Sequence, residues 1–237
     1  MQKSNDIQAS GAHPAPEDRF FGRRKGQQLS AKRQHLLETL YPKLALDPAD
    51  AKGTWTVDQI APGKEKLWLE IGFGKGEHLY WQAKANPSVA LIGCEPYLNG
   101  IAGLLDQLDQ NPVDNIRLYA DDARHIMAAL ADSSLDRLFL IHPDPWPKRR
   151  HARRRFVNPR MLNEIARLLQ PGGEFRVATD HPIYREWTAI QMAHREDFEW
   201  TAEGPDDWQT RPVDWPATRY AEKALEGAAT FMIYRRV

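Results

Sequence analysis

Two sets of side chains in this sequence have types and spacings suited to chemistry. The first is a row of carboxylates, each following a short apolar run: Glu70 in Leu67-Trp68-Leu69-Glu70-Ile71, Glu95 after Val89–Cys94, Asp122 after Ile116–Tyr119, and Asp144 after Leu135–Ile141. A carboxylate accepts hydrogen bonds from sugar hydroxyls or an exocyclic amine and sits comfortably against a cation. The second is the stretch Lys148-Arg149-Arg150-His151-Ala152-Arg153-Arg154-Arg155, in which six of eight residues are Lys or Arg and no acid is interleaved. Such a patch suits a polyanion. Each set also has a plain reading. The acids can be helix N-caps, and a charge run can be a solvated face.

The two sets meet in His142-Pro143-Asp144-Pro145-Trp146-Pro147. Prolines on either side of Asp144 fix its backbone as extended, which a preorganised reactive group requires. Trp146 fits stacking on a base and fits ordinary packing equally well.

The positions of these residues depend on the elements that carry them. Strand-like runs at Leu67–Ile71, Val89–Cys94, Ile116–Tyr119, Leu135–Ile141 and Glu174–Ala178 alternate with helical stretches. The stretches run to Asn86 and over Leu98–Leu108, Ala123–Leu130, Asn158–Leu169 and Pro182–His194. That alternation predicts βαβ units and an α/β fold, with a mainly parallel sheet covered by helices on both faces. Two further strand-like pieces, Phe198–Trp200 and Thr230–Tyr234, lie either side of a polar loop and predict an antiparallel strand closing the sheet. Ser30 is a candidate N-cap for a helix through Leu36, Leu37 and Leu40 that stops near Pro42, and Lys43 to Gly63 reads as a loop anchored by Trp55. The expected layout is a flexible basic arm over residues 1–29 with Arg19, Arg23, Arg24 and Lys25, a helix and loop over 30–63, and the main domain over 64–237.

Composition narrows the classes. The 237 residues carry a formal net charge of +0, so attraction to nucleic acid must be local. The single cysteine, Cys94, excludes an internal disulfide and reads as a buried small hydrophobe in a reducing compartment. No apolar run approaches the roughly 18 residues of a membrane span, and the polar start is unlike a secretory leader. A cytoplasmic location is expected, and no metal.

In an open α/β sheet, ligands bind beyond the carboxyl ends of the strands. After the first strand comes Glu70-Ile71-Gly72-Phe73-Gly74-Lys75-Gly76. Gly72, Gly74 and Gly76 are spaced G-x-G-x-G, not as the dinucleotide fingerprint G-x-G-x-x-G. Lys75 is the only cation in the turn, and Glu70 would repel a pyrophosphate. A nucleoside without phosphates fits better: Glu95 for the ribose hydroxyls, Asp122 for an adenine amino group, Glu70 near a cation. S-adenosylmethionine has these parts. The arrangement resembles the Rossmann-like class I methyltransferases, which implies a seven-stranded sheet; the Pro171-Gly172-Gly173 turn is also typical of them.

The Asp-Pro-Trp-x-Lys-x-Arg-His-x-x-Arg-Arg segment together with Glu-Ile-Gly-x-Gly-x-Gly is similar to the bacterial tRNA (guanine-N7-)-methyltransferase family, from about Leu67 onward. The resemblance implies methyl transfer to N7 of a guanine in the tRNA variable loop. It implies donor binding by Glu70, Gly72, Gly74, Gly76, Glu95, Asp122 and Asp144, with Asp144 also the catalytic candidate. It implies tRNA contacts from Lys148, Arg150, His151, Arg153, Arg154, Arg155 and Asp180. A further family motif, Thr-Lys/Arg-Phe/Tyr-Glu, is matched in part by Thr218-Arg219-Tyr220-Ala221-Glu222, where alanine replaces the glutamate and Glu222 is the candidate substitute. The expected partner is tRNA, with the chain a monomer or homodimer and no obligatory protein partner.

Three rivals are weighed against this reading. Adenine-N6 methyltransferases carry Asp/Asn-Pro-Pro-aromatic, whereas here Trp146 follows the single Pro145. A nicotinamide oxidoreductase is disfavoured by the glycine spacing. A non-catalytic RNA-binding module on the same fold is opposed by the intact row of acids and favoured only by Ala221.

Overall fold

In a computed structural model, residues 21–51, 54–218 and 227–237 are described. The N-terminal pieces are α1 (Ala31–Thr39), α2 (Tyr41–Leu44) and α3 (Val57–Ile60). Alternating elements follow: β1 (Lys66–Ile71), α4 (Glu77–Ala85), β2 (Val89–Cys94), α5 (Leu98–Gln110), β3 (Ile116–Tyr119), α6 (Ala123–Ala129), β4 (Leu135–Ile141), α7 (Pro159–Leu168), β5 (Leu169–Thr179) and α8 (Pro182–Ala193). The chain closes with β6 (Phe198–Trp200), α9 (Asp206–Gln209) and β7 (Thr230–Arg236).

The strands form one seven-stranded sheet in the order β3-β2-β1-β4-β5-β7-β6. β1 to β5 pair in parallel, and β7 runs antiparallel to both β5 and β6. This is the expected architecture. Strand order reverses between β1 and β4, so the switch point falls beside the glycine turn and the Asp144 loop.

Period-two alternation sorts side chains to two cores. Leu67, Leu69 and Ile71 pack with residues of α6, α7 and α8, whereas Trp68 packs with Leu79 and Ala83 of α4 and Leu104 of α5. Glu70 shares the parity of Trp68 and therefore faces α4. Cys94 is a buried member of the first core, as expected.

Several boundaries differ from expectation. α1 is capped by Ser30, whose hydroxyl accepts from the Arg33 N–H, but it breaks at Leu40; Pro42 then sits in the first turn of α2, where a missing N–H costs nothing. The expected loop over 43–63 contains a 3₁₀ turn at Pro48–Asp50 and α3, and Trp55 is anchored by its backbone as well as its ring, with its N–H 2.7 Å from the Ala129 carbonyl. β5 begins at Leu169, not Glu174. Pro171-Gly172-Gly173 is a bulge inside that strand, marked by a register shift opposite Leu135–Arg137.

Residues 21–29 of the expected flexible arm lie against the domain. The Leu98 N–H reaches the Arg24 carbonyl at 3.1 Å, Asn99 bonds Gly26 and Gln27, and Arg24 pairs with Asp121 at 2.7 Å. Residues 1–20, including Arg19, lie outside the described residues. Among the described residues no helix is long and apolar enough to cross a membrane.

Candidate active site

The predicted acids converge at the carboxyl edge of the parallel strands. Glu70 is the penultimate residue of β1 and is 2% exposed; its Oε2 lies 2.7 Å from Nδ1 of His78 on α4. Glu95 follows β2 directly, is 8% exposed, and accepts from the Gly74 N–H at 2.7 Å and the Tyr97 N–H at 2.9 Å. Burial pushes the Glu95 carboxyl above its ordinary range, those two N–H donors pull it back, and the charges of Asp144 and Glu70 push it up again. Glu95 thus senses the charge of both Glu70 and Asp144. A cationic ligand would relieve that repulsion.

The glycine turn provides the opening. Gly72 and Gly74 have φ of 72° and 58°, a region L side chains avoid, and a Cβ built on either would meet nothing within 4 Å. Gly76 is the N-cap of α4, where a Cβ would press on Leu104. Buried carboxylates beside a turn of bare backbone with open space at Gly72 and Gly74 fit a sulfonium nucleoside. Asp122 departs from the simple expectation. It is the N-cap of α6, and both of its oxygens are engaged by Arg124, through the backbone N–H and the guanidinium. An adenine contact there requires Arg124 to share it.

Asp144 is exposed on the loop after β4 and has no hydrogen-bond partner among the described residues. On either side of it, His142 and Trp146 hold φ of 46° and 42°, an uncommon conformation for residues with a Cβ. The prolines alone do not set the loop. Arg155 does, and here the basic-patch expectation needs correction: Arg155 is 5% exposed, and its Nε and Nη2 donate to the Pro145 and Trp146 carbonyls at 2.9 and 3.0 Å. Its guanidinium also lies over the Trp187 ring, 4.7 Å from the centroid. A buried cation facing inward has no reach to a phosphate.

The rest of the segment is placed differently. Arg149–Arg154 forms a 3₁₀ turn with Lys148 at its N-cap, and Lys148, Arg149, Arg150 and Arg153 are exposed. Arg154 lies between the rings of Phe21 and Trp146, 4.3 and 4.8 Å from their centroids, with its Nε buried and unbonded. Trp146 packs edge-on against His151 as well. Asp180, just past β5, reaches His142 at 3.4 Å and so braces the start of that loop. Burial lowers the His142 pKa, and Asp180 opposes that shift.

Sequence reasoning missed the partners behind these residues. His78 and Gln82 back Glu70, and Asp214 is held by Arg176 at 2.9 Å and Arg137 at 3.1 Å, with Glu174 completing the cluster. Trp215, buried against His78, Phe139 and Phe231, fixes the segment leading to the buried Thr218. Among them only Arg137, Glu174 and Arg176 left a trace in the sequence, as charge placed inside strands. Arg219, Tyr220, Ala221 and Glu222 lie outside the described residues.

With this geometry in place, comparison with known proteins is decisive. A family model described as "Putative methyltransferase" matches residues 64–232. A tRNA (guanine-N(7)-)-methyltransferase of Rhodospirillum rubrum is 48% identical, aligned over 94% of this chain and 89% of its own length. The chain belongs to the tRNA (guanine-N(7)-)-methyltransferase family. A second member of that family, from Zymomonas mobilis, is also 48% identical over 92% of this chain and 94% of its own. Among solved structures, a 16S rRNA (adenine(1408)-N(1))-methyltransferase of Catenulisporales acidiphilia superposes with a TM-score of 0.50 at 16% identity, covering 81% of this chain and 92% of that one. The 16S rRNA methyltransferase KamB gives the same score and identity over 76% and 92%. These two likenesses carry the class I fold and nothing further; the family rests on the close sequence relatives.

Proposed function

We propose that this chain transfers a methyl group from S-adenosylmethionine to N7 of a guanine in tRNA, in the variable loop. The observation that carries it is the position of Asp144. One side chain on one clamped loop stands within charge reach of the buried acid Glu95, and four residues from the start of an exposed cationic turn.

S-adenosylmethionine supplies the electrophilic methyl group when bound. Glu70 and Glu95 bind and orient it by hydrogen bonds and charge, and the glycine turn lets backbone approach it closely. Guanine N7 has an in-plane lone pair, so no base has to remove a proton before attack. What the protein must provide is alignment. Methylation leaves positive charge on the purine, and the exposed Asp144 carboxylate is placed to favour that charge as it develops. Lys148, Arg149, Arg150 and Arg153 take up phosphates, and the half-buried Trp146, with Arg154 over its ring, lies beside them. Residues 64–237 are the catalytic domain, the chain works in the cytoplasm, and tRNA is its partner.

The test is incubation with labelled S-adenosylmethionine and unmodified tRNA, followed by reduction and aniline cleavage, which cuts only at N7-methylguanine. Cleavage in the variable loop supports the function. Donor binding without transfer to any tRNA would instead point to a non-catalytic RNA-binding module.

A further inference from the structure

Behind Glu70 runs a buried polar chain that the reaction itself does not explain. His78 on α4 is 3% exposed, with Nδ1 2.7 Å from Glu70 Oε2 and Nε2 3.2 Å from Gln82 Nε2. The orientation of the Gln82 amide is fixed by its other neighbours. Its Nε2 lies 2.8 Å from the Asp214 backbone carbonyl, which only accepts, and its Oε1 lies 3.2 Å from Asn86 Nδ2, which only donates. The Gln82 nitrogen therefore donates to both Asp214 and His78. His78 Nε2 must accept, so the ring proton sits on Nδ1 and is donated to Glu70. Phe139 and Trp215 pack on the ring, with centroids 4.8 and 5.0 Å away, so it cannot turn without displacing them.

The consequence falls on Glu70. Its Oε2 is committed to His78, while Oε1 has no hydrogen-bond partner among the described residues and is not among the sealed, unbonded polar atoms. We propose that His78 is a positioning residue for the methyl donor: locked by Gln82 as the Nδ1–H tautomer, it holds one oxygen of Glu70 and so aims the other at the donor's cationic amino acid end. The same chain ties that carboxylate, through Gln82 and the Asp214 carbonyl, to the segment bearing Thr218. This inference rests on the donor-binding role of Glu70 proposed above.

The test uses the full chain and S-adenosylhomocysteine as the probe, with affinity read by calorimetry and the His78 tautomer by ¹⁵N NMR. His78→Phe keeps an aromatic ring between Phe139 and Trp215 but removes the donor. Since a hydrogen bond to a charged group stabilises by more than a neutral one, its loss should weaken binding by about tenfold or more. His78→Asn restores an N–H near the Nδ1 position and should bind within about threefold of the unaltered chain. The spectrum should show Nδ1 protonated and Nε2 bare. An Nε2–H tautomer overturns the proposal, as does a His78→Phe chain that binds like the original, or His78→Asn binding as poorly as His78→Phe. If His78→Phe does not fold, the tautomer in the unaltered chain decides alone. An unaltered chain that binds no S-adenosylhomocysteine removes the donor-binding reading and this inference together, whereas normal binding with unresponsive variants removes only the inference.

Discussion

Glu70 and Glu95 on one side of Asp144, and Lys148 to Arg154 on the other, are built in opposite ways. The acids are buried and held by a histidine ring and by backbone N–H groups. The cations mostly stand in solvent on a short 3₁₀ turn, and Lys148, Arg149 and Arg153 have no fixed partner among the described residues. A small rigid ligand that must present one methyl group along one line needs walls already in place, because misalignment is costly. A polyanion with many phosphates needs charge density, and flexible exposed cations provide it at little desolvation cost. Asp144 belongs to the join between the two regions, and Arg155, although drawn from the basic run in sequence, is built like the buried side.

The sharpest way to separate the regions is Asp144→Asn. Removing the charge while keeping the shape should lower turnover by about 10²–10³-fold and leave tRNA affinity within about twofold. Single-turnover methylation and filter binding on the same preparations would check this. A loss confined to affinity would move Asp144 to the RNA-binding side.

Arg155→Met should come next in size. It removes two hydrogen bonds to the Asp144 loop and leaves the Pro145 and Trp146 carbonyls without their donor, which destabilises by roughly 1–3 kcal/mol. The expected result is a lower Tm and turnover reduced by about 10–100-fold, because the reacting group loses its alignment. The salt dependence of tRNA binding should stay as it was. If Arg155 touched phosphate, the slope would instead shallow by about 0.7–0.9.

That contrast also explains what could be read in the sequence. The strands were legible because they are short apolar runs alternating with helical stretches, and the row of carboxylates followed from knowing where such strands end. Arg155 was not, because composition cannot distinguish a cation that turns inward from its five cationic neighbours. Pro171-Gly172-Gly173 read as a turn ahead of the fifth strand, and α7 does end nearby, but the strand starts before the glycines and absorbs them as a bulge. His78 gave no signal at all. Glu77-His78 opens a helix like many others, and only the parity of Glu70 on β1, facing α4, brings the ring to it. Asp122 was legible twice over, and the N-cap reading is the one seen.

For the exposed side the natural probe is salt. With about four phosphate contacts, log affinity should fall against log salt with a slope near −3. Replacing Lys148, Arg150 and Arg153 together by Ala should bring the slope to about −1 while S-adenosylhomocysteine binding is unaffected. A triple variant that bound the donor poorly would mean the two regions are coupled more tightly than their construction implies.

The smallest effect should come from His151. Loss of hydration, and then the charges of Arg154, Arg150, Lys148 and Arg153, lower its pKa from the ordinary value, so the free protein keeps this imidazole neutral near pH 7. An RNA phosphate placed among those cations would cancel their repulsion and favour the protonated ring, raising its pKa in the complex. Binding therefore takes up a proton. Affinity for tRNA should strengthen as pH falls from the value of the complex towards that of the free protein, by no more than about tenfold for each unit separating them. His151→Gln should remove that rise and leave the salt slope of the remaining cations intact. A pH profile unchanged by the substitution would mean that His151 packs on Trp146 without meeting the RNA.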